Sequence, residues 1–111
     1  MSHNSQNTDL EVIKRAIAER RTVEFNYQAP GKTHGLRRGQ PHAVYIHETS
    51  GNILLDFYQT AGVSETGEPM PGWRRFYTTG VSSAEFLEST FNPAPGYKPN
   101  SRQYAKVICK V

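Results

Sequence analysis

The stretch of sequence that decides the fold is TVEFNYQ, residues 22–28. Val23, Phe25 and Tyr27 alternate there with polar residues, so the apolar side chains share one face of an extended chain. This period of two predicts a β-strand that is buried on one side and solvated on the other. A strand of this kind needs a partner strand and a covering layer, and the rest of the chain must supply both.

The chain before this strand predicts one amphipathic helix over residues 9–20. Its apolar face consists of Leu10, Ile13, Ala16 and Ile17. Thr8, followed three residues later by Glu11, has the pattern of a capping box at the helix start. Because so short a helix is unstable alone, we expect it to pack on the strands. We expect the polar residues 1–7 to be a disordered tail.

After this strand, turns rich in glycine and proline separate several short segments. They predict a short helix over residues 82–90, which begins with a second capping box, and strands over residues 36–47, 53–61, 73–79 and 104–111. Gly39 and Pro41 interrupt the first of these strands, which indicates an edge, a bend or a bulge. The order predicts a mainly β fold, a small antiparallel barrel flanked by an N-terminal helix and by a short helix before the last strand.

Length and composition limit what this chain can be. With 111 residues, we expect one domain, residues 8–111, rather than two. Cys109 is the only cysteine, so no internal disulfide or cysteine-based zinc cluster can form. A lone cysteine fits a reducing compartment. Since no apolar run is long enough to cross a membrane or act as a leader, we expect a cytoplasmic protein.

Positive charge is concentrated in the predicted strands, although the formal net charge is only +3. Residues 30–47, 69–84 and 92–111 contain lysine and arginine but no acid, and aromatic residues lie between these charges. This pattern predicts a basic, aromatic-lined barrel face that binds nucleic acid or another polyanion. The alternatives are a merely solvated surface and, for Trp73 or Tyr77, a place in the core.

Other chemistries have little support in the sequence. The spacing of His34, His42 and His47 matches no structural zinc pattern, so we expect no metal. Asp56 either faces a pocket or pairs with an arginine across the sheet. We expect Cys109 to be a buried, inward-facing thiol. Paired carboxylates, a nucleophile elbow and a phosphate-binding glycine loop are all missing, which predicts a protein that is not an enzyme and has no cofactor.

Four weak motifs follow one another in an order that resembles WYL domains, over residues 9–91. A helix ending in a basic pair leads into V-x-F-x-Y at residues 13–27, and R-x-x-x-P-H-x-V follows at residues 37–44. ILL at residues 53–55 stands where the family has Trp-Tyr-Leu, and RRF at residues 74–76 resembles an R-x-F strand start. Tyr and Gly replace later arginines of the family pattern, and we expect no upstream helix-turn-helix of the kind usual in the family. The chain therefore resembles a divergent, stand-alone copy.

The resemblance implies an Sm-like β-barrel and a regulatory role in transcription, DNA-damage response or CRISPR-associated systems. It also implies a basic pocket for a ligand or single-stranded nucleic acid, at Arg37, His42 and Arg74 with Tyr27 beside them. Together with the basic strands, the predicted binding residues are Tyr27, Arg37, Arg38, His42, Trp73, Arg74 and Arg75. We therefore expect a regulatory sensor that binds an anionic ligand, a nucleic acid or nucleotide. The alternative is a module that binds a regulator protein or a second copy of itself.

Overall fold

The computed structural model describes residues 5–111, with side chains from residue 8 onward. Helix α1 (Ser5–Glu19) begins earlier than predicted, so Thr8 and Asp9 lie inside it and the expected capping box is wrong. Residues 5–7 of the predicted tail belong to this helix, and the rest of that tail lies outside the described residues. Arg20 has a φ of 53°, a left-handed conformation that ends the helix and turns the chain directly into the first strand.

Six antiparallel strands form the sheet. They are β1 (Arg21–Tyr27), β2 (Gly35–Ile46), β3 (Ile53–Gly62), β4 (Gly72–Tyr77), β5 (Val81–Thr90) and β6 (Val107–Lys110). Their order is β4-β3-β2-β1-β5, and β6 pairs with β2. The mainly β fold with a flanking N-terminal helix is confirmed. The described strands do not close into a barrel, because β4 and β5 remain the two ends of the sheet.

The predicted helix over residues 82–90 is wrong, because β5 occupies this segment. β5 pairs antiparallel with β1, with Val23 opposite Phe86 and Arg21 opposite Thr90. This pairing supplies partners for backbone groups that β1 would otherwise leave open on its second edge, and Phe86 packs against the core. A capping box is a four-residue signal, and the tertiary pairing overrides it. The short helical turn before the last strand lies instead at Arg102–Tyr104.

The predicted interruption of the second strand is a pair of register shifts in the middle of the sheet, as a β-bulge produces. The pairing of β2 with β3 shifts register between Arg38 and Gly39 and again between Pro41 and Ala43. On its other edge β2 pairs with β1 as far as Gly39 and with β6 from Ala43. β2 is therefore a central strand, and two different strands share one of its edges on either side of the interruption.

Buried side chains cover both faces of the central strands. On one face the α1 residues Ile13 and Ile17 pack with the ring cluster Phe25, Phe57 and Phe76, whose centroids lie 5.1–5.6 Å apart. The other face carries a smaller cluster of Ala43, Tyr45, Leu54 and Tyr104. Burial on both faces explains why apolar residues run without alternation at the start of β3. Among the described residues, the helix is too short and too polar to cross a membrane.

Candidate functional site

Two buried arginines lie at one cavity. Arg37 on β2 is 1% exposed and Arg74 on β4 is 7% exposed. Both line a cavity of about 200 Å³, together with Tyr27, Trp73 and Phe76. A buried guanidinium is costly unless its charge is compensated, so the groups that compensate these two arginines define the chemistry of the site.

The compensating carboxylates come from a single surface loop, residues 63–71, which we call the acidic loop. Glu65 Oε2 lies 3.3 Å from Arg37 Nη2, and Glu68 Oε1 lies 3.1 Å from Arg74 Nε. The Thr33 backbone N–H donates to Glu65 over 2.8 Å and holds the pKa of this carboxyl below its usual range. The pKa of Glu68 is also lowered: burial opposes this, but the Ser64 hydroxyl, the Glu65 backbone N–H and Arg74 together outweigh it. Both side chains are about one-third exposed, so solvent reaches the anionic half of each ion pair.

The remaining guanidinium hydrogens are only partly used. Arg37 donates to the Thr33 carbonyl over 2.6 Å and to the Gln59 side chain over 3.2 Å. Arg74 donates to Ser64 Oγ and to the Pro69 carbonyl of the acidic loop. Within residues 5–111, the Nε–H groups of Arg37 and Arg74 have no hydrogen-bond acceptor, since Glu68 lies near Arg74 Nε but off its N–H direction. Each of the two guanidinium groups that line the cavity therefore keeps one buried N–H group without an acceptor.

The structure separates the predicted binding residues into two groups. Tyr27, Arg37, Trp73, Arg74 and Arg75 line the cavity of the two arginines. Among the predicted arginines, Arg37 and Arg74 are buried, whereas Arg38 and Arg75 each pair with an acid on the neighbouring strand.

The other two predicted binding residues lie elsewhere. Arg38 is exposed and binds Glu24 of β1 over 2.7 Å, outside the cavity. His42 is fully buried and packs edge-on against Trp73 and Tyr97, so it faces neither solvent nor the cavity. Its Nδ1–H donates to the Gln40 carbonyl, and its Nε2 accepts from the Ala94 backbone N–H over 3.0 Å. Both ring nitrogens of a neutral imidazole are thus used within the fold.

Stability should depend on pH through His42. Burial lowers the pKa of His42, and a proton on Nε2 would oppose the Ala94 N–H. The unfolded chain therefore binds this proton first, and the free energy of unfolding should fall as pH drops below about 6.5, by at most about 1.4 kcal/mol per pH unit. Urea unfolding between pH 5 and 8 measures this slope. The variant His42→Gln should flatten it, whereas His34→Gln at an exposed position should keep it. Equal slopes in the two variants would contradict the assignment.

Sequence reasoning missed the acids that complete the site. Glu65 and Glu68 are the only acidic residues between positions 57 and 84, directly before the arginine pair of β4. Two acids in a stretch with no other acid, directly before an arginine pair, are the sequence feature that could have predicted these ion pairs.

Asp56, by contrast, forms the ion pair across the sheet that was one of the two alternatives predicted from the sequence. It pairs with Arg75 across β3 and β4, with Oδ1 3.1 Å from Arg75 Nε. Cys109 is partly buried against the core, and burial raises the pKa of its thiol.

Comparison with known proteins supports the resemblance. A family model described as the WYL domain matches residues 8–52, so the resemblance is confirmed over α1, β1 and β2. The match ends directly before ILL at residues 53–55, the point at which the sequence departs from the family motif. It includes Tyr27, Arg37, Arg38 and His42. No curated protein matches the chain significantly.

Among solved structures, the chain is similar to the proteasome accessory factor B/C (PafBC) of Arthrobacter aurescens. The TM-score is 0.61 at 17% sequence identity, and the alignment covers 86% of this chain and 14% of that one. At this identity the similarity shows a shared fold alone. The chain spans only a small part of the length of PafBC.

Proposed function

We propose that this chain is a regulatory, non-catalytic domain that binds an anionic ligand, a nucleic acid or nucleotide, at the cavity of Arg37 and Arg74. The observation that carries the proposal is the way in which these buried charges are neutralised. Both partners are carboxylates of one exposed loop, and two guanidinium N–H groups are left without acceptors. Phosphate oxygens form the same charge-assisted hydrogen bonds as carboxylates, with an additional acceptor for the unused donors.

Binding would then be an exchange of anions. The ligand phosphate takes the place of Glu65 and Glu68, and the acidic loop moves away from the cavity. Lys32, an exposed residue of the β1–β2 turn, also lines the cavity and adds a positive charge to those of Arg37, Arg74 and Arg75. Tyr27 and Trp73 supply aromatic surface for a base beside the phosphate. This exchange couples ligand binding to a change in loop position, which is what a sensor domain requires.

The exchange predicts that removing the acidic competitors tightens binding. In Glu65→Gln/Glu68→Gln, affinity for a ten-nucleotide single-stranded DNA should rise at least roughly fivefold, since each of the two carboxylates contributes up to about 1 kcal/mol to its ion pair. Arg74→Gln should weaken the same binding. Fluorescence anisotropy over a series of salt concentrations measures both effects, and phosphate contacts give a steep salt slope.

Glu24→Gln is the matched control for this experiment. It removes a carboxylate of the same charge from Arg38, which lies outside the cavity, and should leave affinity for the DNA nearly unchanged. The control removes one carboxylate and the acidic-loop variant removes two. If the control therefore tightens binding by half as much in free energy, the effect is only one of net charge. That result, or salt-insensitive binding, would disprove the proposed site.

A protein-interaction module is the second candidate. The outer edges of β4 and β5 have no partner strand in the described part of the chain, and Val107 and Ile108 of β6 are more than one-third exposed. Open sheet edges pair readily with other chains. A molecular mass that rises with concentration, without salt-sensitive binding of nucleic acid, would favour this candidate.

A further inference from the structure

A second cavity of about 300 Å³ lies between β4 and the segment of residues 95–104. We call it the aromatic cup. Its lining includes the rings Trp73, Tyr97 and Tyr104 and the polar side chains Arg75, Lys98 and Gln103. Asp56 lies at its base. The residues that line the cup but not the arginine cavity come from β3 and from the chain before β6, so the two cavities can be tested independently.

The three rings of the aromatic cup are held in place by their own polar atoms. Trp73 Nε1 donates to the Pro95 carbonyl over 2.7 Å, and the Tyr97 hydroxyl donates to the Val111 carbonyl over 3.0 Å. The Tyr104 hydroxyl donates to Asp56 Oδ2 over 2.7 Å. Since these polar edges are occupied, the rings offer mainly their apolar surfaces to a ligand. Rings that are already ordered lose little entropy when a ligand binds.

The charge in the aromatic cup is positive. Asp56 is only 6% exposed, and both of its oxygens already accept hydrogen bonds: Oδ1 from Tyr45 and Arg75, and Oδ2 from Gln103 and Tyr104. Both oxygens of this carboxylate are therefore occupied by donors of the protein itself.

The cations face outward instead. The Arg75 side chain is 52% exposed and uses only Nε in the ion pair with Asp56. Lys98 is exposed and has no acidic partner among the described residues. Arg75 and Lys98 can therefore bind an anionic group of a ligand.

We propose that the aromatic cup binds a flat heteroaromatic ring that carries one anionic group, the chemistry of a nucleoside monophosphate. The ring packs against the aromatic surfaces, and the anionic group is bound by Arg75 and Lys98. Gln103 donates its amide hydrogen to Asp56, and its carbonyl oxygen accepts from an amino group on the ring. The volume is at the lower end of the range for small-molecule sites, about 300–1,000 Å³, and fits one such unit rather than a chain. The two cavities share Trp73, Arg74 and Arg75, whereas Lys98 and Gln103 line the cup alone and Lys32 lines the arginine cavity alone.

Adenosine 5′-monophosphate (AMP) is the probe that tests this proposal with the full chain. Trp73 is the only tryptophan, so its fluorescence reports binding directly, and calorimetry gives the affinity. We expect AMP to quench Trp73 and to bind at least tenfold more tightly than adenosine, ribose 5-phosphate or inorganic phosphate. Lys98→Ala should weaken AMP binding roughly fivefold, the loss of one exposed charge contact of about 1 kcal/mol.

Two matched variants decide which cavity is occupied. Lys32→Ala removes an exposed cation from the arginine cavity, and Arg102→Ala removes one near the aromatic cup that does not line it. Neither should change the affinity for AMP, and neither should disturb the fold. If Lys32→Ala weakens AMP binding and Lys98→Ala does not, AMP occupies the arginine cavity, and the cup proposal is overturned while the proposed function is supported.

The remaining outcomes also separate the two proposals. Inorganic phosphate that binds as tightly as AMP, or AMP that does not bind at all, overturns the cup proposal. If Lys98→Ala weakens AMP binding while the acidic-loop variant leaves DNA binding unchanged, the cup proposal is supported and the proposed function fails.

Discussion

Asp56→Ala should lower the free energy of unfolding by about 3–5 kcal/mol, a large part of the stability of a domain of this size. The variant leaves the hydroxyls of Tyr45 and Tyr104, which are 1% and 8% exposed, without the acceptor that each now uses. A buried polar group without a partner costs about 1–3 kcal/mol. Burial and the charge of Asp56 raise the pKa of both phenols, so they stay protonated and act as donors.

Urea unfolding, followed by Trp73 fluorescence, measures this loss. Asp56→Asn keeps the shape and part of the acceptor capacity, so it should lose less stability and remain folded if the alanine variant does not. Glu24→Gln breaks an exposed ion pair and should cost no more than about 1 kcal/mol. Since Gln103 and Tyr104 attach the C-terminal segment to β3 through Asp56, amide exchange at residues 101–106 should also accelerate. If Asp56→Ala lowered the free energy of unfolding by less than Glu24→Gln does, Asp56 would not be an important acceptor for these buried hydroxyls.

Gly39→Ala should destabilise the fold by about 3 kcal/mol, near the upper end of the usual cost of overpacking. A Cβ at this position would lie 2.3 Å from the Tyr58 carbonyl oxygen and 2.9 Å from the Gln59 Cα. Both are backbone atoms of β3, so the bulge between β2 and β3 would have to open. Because Gln59 also binds Arg37, the arginine cavity should lose a contact at the same time.

Gly51→Ala separates this steric effect from the effect of backbone conformation. Gly51 has a φ of +76°, and a Cβ at this position would have no neighbouring atom within 4 Å. Alanine at position 51 should therefore lower the free energy of unfolding only by the cost of placing a residue with a Cβ in the left-handed conformation, about 1–2 kcal/mol. Thermal or urea unfolding of the two variants compares the costs directly. Equal losses would show that the close approach of β3 to Gly39 does not limit stability.

Local patterns in the sequence were sufficient for most of the fold. Val23, Phe25 and Tyr27 are each at most 2% exposed, as their alternation predicts. Helix α1 and strands β1 to β4 lie within a few residues of their predicted bounds. These features depend on the periodicity of neighbouring residues, which a single chain displays directly. The segment that became β5 is the exception, because its state depends on the free edge of β1, about 60 residues earlier in the chain.

The candidate site depended more on tertiary structure. The resemblance pointed to Arg37 and Arg74, but it did not predict that both would be buried or that His42 would be enclosed by rings. The acidic loop reaches Arg37 across 28 residues of sequence, and Gln103 reaches Asp56 across 47. No periodicity relates residues so far apart.

The sequence by itself therefore determined the helix, every strand except β5, and the identity of the basic residues. The tertiary structure alone decided which acid neutralises which arginine and where a cavity remains. The physical reason is the distance in sequence between the residues that interact. Secondary structure follows from the pattern of neighbouring side chains. Charge compensation and cavities depend on residues far apart in sequence, which meet only when the strands pair.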